Sequence, residues 1–220
     1  MTSARVLSVN VGPARELAGQ SELTAIDKQP VGARVRVGEY GIEDDEVGDK
    51  THHGGVYQAV YVFAQEDLDL WTERLGRTVP HGFFGENLTT SGIDVNEALV
   101  GETWRIGTVL LEVVSVRIPC STFALWLDSH GFDDTHWVKR FTVEGRPGPY
   151  LRVLEPGQLA AGDAIEVEHR PEHDVTVTTM FRALTTERSL LPRLAGLDRI
   201  DPEARETVHR HVERPLPTHG

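Results

Sequence analysis

Over the first 170 residues, apolar positions recur mainly with a period of two or in short runs. In residues 31–37, Val31, Ala33, Val35 and Val37 alternate with Arg34 and Arg36, the pattern of a strand with one wet face. Runs rich in β-branched and aromatic residues predict further strands at 5–11, 59–63, 103–106, 109–118, 150–154 and 164–169. Gly101-Glu102, Gly107-Thr108 and Gly162-Asp163 are among the breaks between them. Many short strands with glycine breaks point to a barrel or sandwich rather than to alternating strands and helices. One helix is predicted among them, at 66–75. Leu68, Trp71 and Leu75 fall three and four apart, Glu66 and Asp67 stand in the first turn, and Gly76 follows as a C-cap. Such a helix could plug one end of a barrel.

The pattern changes after Arg170-Pro171. Beyond a last β-rich piece at 175–177, Leu184, Leu190, Leu191, Leu194 and Leu197 recur at roughly helical spacing. Asp201-Pro202-Glu203 matches an N-cap, a proline at the first helical position and an acid in the first turn. The expected organisation is a mainly β domain over 1–170 and a small α-helical appendage over 171–220. The appendage is too short to fold alone and is expected to dock on the strands.

The chain of 220 residues has 22 Lys and Arg against 34 Asp and Glu, a formal charge of −12. So acidic a surface repels phosphate backbones and anionic lipid, which argues against nucleic-acid or membrane partners. The longest stretch free of Asp, Glu, Lys and Arg is 51–65, too short to span a bilayer. The first residues show no signal-peptide pattern. A single cysteine, Cys120, leaves no internal disulfide and no Cys-rich zinc module. A cytoplasmic protein is expected.

Four blocks carry candidate chemistry. Cys120 ends Val116-Arg117-Ile118-Pro119-Cys120 after the most apolar strand; Pro119 stiffens the approach, and Arg117 is near enough in sequence to favour a thiolate. An inert buried thiol is the alternative. Lys50-Thr51-His52-His53-Gly54-Gly55 combines a cation, two imidazoles and two glycines whose amides could meet an anion, or it is a tight turn into the next strand. Phe83-Phe84-Gly85-Glu86-Asn87 offers an acid–amide pair suited to a heterocycle's polar edge, beside aromatics that also read as core. Lys139-Arg140, Arg146 and Arg152 are cations for a phosphate, or solvated surface charge.

Taken in order, His53-Gly54-Gly55, Phe84-Gly85-Glu86-Asn87-Leu88-Thr89, Arg117-Ile118-Pro119-Cys120 and Gly148-Pro149-Tyr150-Leu151-Arg152-Val153 resemble the MOSC domain family. That family is named after the C-terminal domain of molybdenum cofactor sulfurase. The resemblance covers about 5–170, and the tail from Val175 looks like the three-helix appendage of the YiiM-type subfamily. It implies a MOSC-type β-barrel that binds molybdenum cofactor (molybdopterin), an anionic pterin bearing a phosphate and a dithiolene-held metal. Cys120 then takes the role of molybdenum ligand, and so of catalytic residue, or of sulfur carrier. Lys50, His53, Gly54, Gly55, Arg117 and Arg152 become candidates for the cofactor's anionic part, and Glu86 and Asn87 for its pterin edge. The family often has a basic residue just after the His-Gly-Gly run, where this chain has Gln58, so Lys50 or the later arginines would have to supply that charge. Pyridoxal phosphate comes with the family name alone, because 220 residues leave no room for the sulfurase's other domain.

YiiM-type members are associated with reduction of N-hydroxylated compounds. With no GxGxxG fingerprint and no cysteine cluster, an oxidoreductase of this kind needs a separate flavin or iron–sulfur reductase as electron donor. The alternative is a non-catalytic carrier of molybdenum cofactor or of sulfur, held as a persulfide on Cys120. A cysteine hydrolase with His52 or His53 as base finds no support in the order of the blocks.

Overall fold

The computed structural model describes residues 3–17, 23–46 and 54–213; Lys50, His52 and His53 lie outside them. The first half of the chain gives β1 (Arg5–Val11), β2 (Arg15–Glu16), β3 (Leu23–Thr24), β4 (Gln29–Val31), β5 (Val35–Gly38), β6 (Gly41–Ile42), β7 (Val60–Ala64), α1 (Gln65–Leu75), β8 (Leu88–Ser91) and β9 (Thr103–Ile106). Then follow β10 (Val109–Val116), α2 (Ser121–Ser129), α3 (Trp137–Glu144), β11 (Pro149–Glu155), β12 (Gly157–Leu159), β13 (Ile165–His169), α4 (Val177–Thr185) and α5 (Pro202–Val212).

Eight strands form one sheet in the order β13-β9-β10-β11-β7-β8-β1-β4. Its pairs are antiparallel except β7 and β8, which run parallel with Val62 opposite Leu88. A parallel pair needs a crossover, and α1 with the loop 76–87 supplies it. The fold is sheet-dominated, but the ladders do not close into a ring. One edge of β1 pairs with β8, while the other is divided between β4 at Val9–Val11 and the segment 162–165. The sheet's ends therefore touch through one bridge, Arg5 to Ala164. Beside it Val6 N–H donates to Asp163 C=O at 3.0 Å and Gly162 N–H to Val6 C=O at 2.8 Å.

The single strand expected at 31–37 is two. β4 pairs with β1, whereas β5 joins β12 and β6 in a separate sheet. Gly32 to Arg34 carry the chain across, and Arg34 forks onto both carboxylate oxygens of Asp163 at 2.9 Å.

The expectation of one inserted helix is also corrected. α1 forms as predicted and ends on Gly76 in the left-handed conformation, but α2 and α3 follow β10. Neither has an acid in its first turn or a side-chain cap, so the usual start signals are missing. Their burial is aromatic. Trp71 of α1 meets Trp137 of α3 at 4.6 Å between ring centroids, and Phe84 meets Phe123 of α2 at 4.9 Å.

The tail is helical and continues the same apolar core, with Leu191, Leu194 and Val208 buried in it. Of the β-rich piece at 175–177 only a bridge from Thr176 to Leu99 remains, since Thr176 caps α4 and Val177 begins it. The tail docks through backbone bonds: Val177 N–H to Ala98 C=O, Val100 N–H to Val175 C=O, and Asp201 N–H to Val114 C=O. Asp201 caps α5 by accepting from the amides of Glu203 and Ala204. Among the described residues no helix is long and apolar enough to cross a membrane.

A buried polar junction joins β1, β7 and β8. Asn87 accepts the amide of Tyr61 on its Oδ1 at 3.0 Å, donates its Nδ2 to Asp45 at 2.8 Å, and donates its own amide to Tyr61 C=O. Its carbonyl accepts the amide of Asn10 at 2.7 Å. Glu86 folds the preceding loop onto its own carboxylate, which accepts from Gly82 N–H at 2.6 Å, Phe84 N–H at 3.1 Å and the Thr89 hydroxyl at 2.9 Å. Glu86 is 0% exposed and Asn87 4%. Their side-chain hydrogen bonds are therefore made inside the fold, with Tyr61, Asp45, Gly82, Phe84 and Thr89. Burial pushes the Glu86 carboxyl up to about 7, against those three donors.

Two predictions follow from this architecture. Gly148, just before β11, has φ +72°, and a Cβ there would lie 2.3 Å from the Val62 carbonyl oxygen; Gly145 has φ +70° and open space around its Cβ position. Gly148→Ala should cost about 3 kcal/mol or more and Gly145→Ala about 1 kcal/mol, the latter for backbone strain alone. Denaturant unfolding measures both, and equal losses would contradict the close approach. Glu86 holds its proton more tightly folded than unfolded, so its stabilisation is complete below the unfolded carboxyl range and is lost as pH rises through about 7. Between pH 5 and pH 8 the wild type should lose about 2.5 kcal/mol more unfolding free energy than Glu86→Gln. Parallel pH profiles would refute this.

Candidate functional site

β10 ends at Val116, and the next four residues turn the chain into α2. Cys120 has an extended backbone (φ −128°, ψ 174°), occupies the N-cap position of α2, and makes no side-chain cap bond. Its thiol is free of disulfide, half-buried, and packed on one side against the core. The sulfur thus sits at the boundary between apolar interior and surface.

Arg117 lies just behind it. Its guanidinium carbon is 5.3 Å from the Tyr61 ring centroid and 5.4 Å from that of Phe123, so two aromatic faces hold it. Nη1 donates to the Tyr150 hydroxyl at 3.1 Å, whereas Nε is buried without a hydrogen-bond partner. Burial opposes the guanidinium's charge, but Tyr150, Tyr61 and Cys120 around it outweigh burial and hold its pKa above the usual arginine value. Burial raises the Tyr61 hydroxyl well above its usual value. That hydroxyl donates to Pro147 C=O at 2.7 Å.

Gly55, at φ +75°, leads into a short 3-10 turn, Val56–Gln58, that packs on β10 and β11. Gly54 N–H donates to the Gln58 Oε1 at 3.2 Å, so one of the two glycine amides is turned inward. Gln58 and Arg117 line one cavity of about 270 Å³, together with Tyr150. The fold thus brings the glycine turn and Arg117 to one place, with Cys120 three residues further along the chain.

Other expected cations go elsewhere. Arg152 faces Glu112 across the β10–β11 ladder and pairs with it, and Arg199 reaches the same carboxylate at 3.5 Å. Arg152 therefore balances a buried acid, Glu112, through its Nε. Arg146 pairs with Asp67 and Asp94, and Arg140 with Asp133 at 3.0 Å.

The structure adds Lys28, which the sequence reading passed over. It is 8% exposed, and its ammonium meets both oxygens of Asp45 at 2.5 and 2.7 Å. Burial lowers its pKa against the attraction of Asp45, and the charge of Arg117 lowers it further. The Asp45 oxygen that accepts from Asn87 also links Lys28 to the β1–β7–β8 junction. The available signal was rarity: the chain holds three lysines, and this one stands between Asp27 and Gln29-Pro30. Among the described residues no group of three or more His, Cys, Asp or Glu is arranged to hold a metal ion.

A MOSC domain model matches residues 49–166 of the chain. YflK of Bacillus subtilis (strain 168) is 32% identical over 174 residues, 78% of this chain and 76% of that protein. YiiM of Escherichia coli (strain K12) is 29% identical over 157 residues, 70% of this chain and 67% of that protein. A reductase of Gibberella moniliformis (strain M3125 / FGSC 7600) is 30% identical over 198 residues; these are 86% of this chain and 34% of the reductase, so the chain spans about a third of that relative. Among solved structures, YiiM from Geobacillus stearothermophilus superposes with a TM-score of 0.79 at 26% identity, covering 95% of this chain and 99% of the other. The half-buried Cys120, the half-buried Arg117 three residues before it, the glycine turn beside Arg117 and the appended helices thus stand in a chain that belongs to the MOSC domain family and is of the YiiM type.

Proposed function

We propose that the protein binds molybdenum cofactor, with Cys120 as its ligand to the metal, and reduces N-hydroxylated compounds with electrons from a separate flavin or iron–sulfur reductase. The observation that carries this reading is the pairing of a half-buried, uncapped sulfur at Cys120 with the guanidinium of Arg117, whose Nε is buried without a hydrogen-bond partner. A soft thiolate suits a thiophilic metal, and a buried cation with a spare donor suits an anionic cofactor. The residues therefore fit the group. The reductase among the relatives agrees with the reaction class.

When bound, the cofactor supplies two-electron transfer at its metal. The chain's own part is to hold it and to manage protons. Cys120 would give the one protein sulfur to the metal, while Arg117 would face the cofactor's negative charge. Reduction of an N-hydroxylamine to the amine and water consumes two electrons and two protons. The Tyr150 hydroxyl accepts from Arg117, which leaves its own O–H to donate into the cavity at this site. Phe123 and Tyr61, packed against the guanidinium, exclude water from it and strengthen its field.

The test is direct. Protein produced with cofactor supply and given an artificial electron donor should reduce a hydroxylamino substrate, and Cys120→Ser should lose bound molybdenum and at least about a hundredfold in rate, the scale set by loss of a metal ligand or its support. Wild type that holds molybdenum yet is no faster than Cys120→Ala would end the proposal. A persulfide on Cys120 without turnover, read by mass spectrometry of the intact chain, would instead identify a sulfur carrier.

A further inference from the structure

The two ends of α2 face different surroundings. Cys120 stands at its start, whereas Trp126 and His130 line a cavity of about 360 Å³ at its other end. At 1.5 Å per residue those two positions lie about 9 and 15 Å along the axis from Cys120, so a guest in this cavity sits away from the sulfur. The cavity has an aromatic floor. Phe83 packs 4.9 Å from Phe132 and 5.5 Å from Trp126 between ring centroids, and Pro30 and Pro80 line the same space. Two flat polar groups already stack on that floor. The His130 ring lies 3.8 Å from that of Trp126, and the Arg77 guanidinium carbon lies 4.4 Å from the centroid of Phe132.

The charges around the cavity are matched on the spot. Lys28 is held by Asp45, and Asp27 lies 3.8 Å from Arg15. Arg77 donates to the carbonyls of His130 and Gly131 at 3.0 and 2.6 Å, against the negative end of α2. Nothing there calls for an ionic guest. Hydrogen-bonding capacity does remain. Gln65 Oε1 accepts from His81 Nε2 at 2.6 Å, which leaves Nδ1 of that ring an acceptor. Arg77 keeps the N–H groups of its Nε and Nη2 as donors. From this arrangement we infer that the cavity is a second ligand site, for a neutral planar heteroaromatic ring with an amide or lactam edge. The ring face stacks on the aromatic floor, while its N–H meets His81 and its C=O meets Arg77. The proposed reduction makes no use of this place, and the inference does not rest on it.

The experiment titrates the chain, purified without cofactor, with nicotinamide and with 4-quinazolinone, and reads the heat of binding. Cyclohexanecarboxamide, which has the amide but no flat ring, is the control. Both aromatic probes should bind saturably and quench the tryptophan fluorescence, because Trp126 is 7% exposed and Trp71, Trp104 and Trp137 are at most 1%. The control should bind about three- to tenfold more weakly, the worth of one aromatic contact. His130→Ala removes an exposed ring from the wall and should raise Kd by about the same factor. Thr78→Trp, from an exposed position on the lining, should fill the cavity and abolish binding. Cys120→Ser should bind both probes as the wild type does. No binding by the wild type, equal binding of the control, or undiminished affinity in either folded wall variant would overturn the site. Lost affinity in Cys120→Ser would move the ring to the sulfur and overturn it as a separate site. None of these outcomes touches the reductase proposal, which fails or stands on turnover.

Discussion

The architecture turns on one amide side chain that has to satisfy three strands at once. β7 and β8 lie parallel, so the chain must leave β7, pass through α1 and return alongside it, and the loop that returns it must end in register. Asn87 sets that register from the residue before β8, trading hydrogen bonds with Tyr61 on one side and Asn10 on the other. A one-residue slip would turn every side chain of β8 to the wrong face. Glu86 adds the second half of the constraint by collecting the loop's own donors. Buried polar groups fully satisfied in this way are rigid, and rigidity is what a site beside them needs.

From that junction a chain of polar contacts runs toward the candidate site. Asn87 reaches Asp45, Asp45 holds the Lys28 ammonium, and the charge on Lys28 is disfavoured by that on Arg117. Arg117 has no carboxylate partner among the described residues and stands against the protein's overall charge of −12, whereas the charge of Lys28 is balanced by Asp45. The acidic surface keeps anions away in general, while the low-dielectric interior amplifies the few positive groups gathered behind the surface. For the anionic cofactor proposed here, the place it can reach then counts for more than net charge.

How legible this was depended on the range of each interaction. β1 and β9 were readable to the residue because their signals are local, alternation and glycine breaks. The break at Gly32 was not, because Arg34 and Asp163 pair across 129 positions and nothing near Arg34 announces it. α2 and α3 were hidden by absent capping signals, and their helical state rests on aromatic contacts with α1 and Phe84. At the site, Cys120 and Arg117 stood out because they are close in sequence and chemically distinctive. Glu86 and Asn87 looked like ligand groups for the same reason they serve structure: an acid and an amide between glycines and a strand are good partners for backbone amides. Lys28 could be valued only once the fold had put it near Asp45 and Arg117.

The placement of sulfur and guanidinium divides two requirements that one residue cannot meet. As the proposed metal ligand, Cys120 gains from lying at the boundary, where exchange with an incoming group is open. An anion-holding cation gains from burial, because its field is then screened by neither water nor salt. Pro119 keeps the two apart on a stiff segment, and the rings of Tyr61 and Phe123 bear the cost of dehydrating the guanidinium. The helical tail completes the division. By lining the same cavity as Arg117 through Leu184 and Ala204, it lowers the dielectric around the guanidinium.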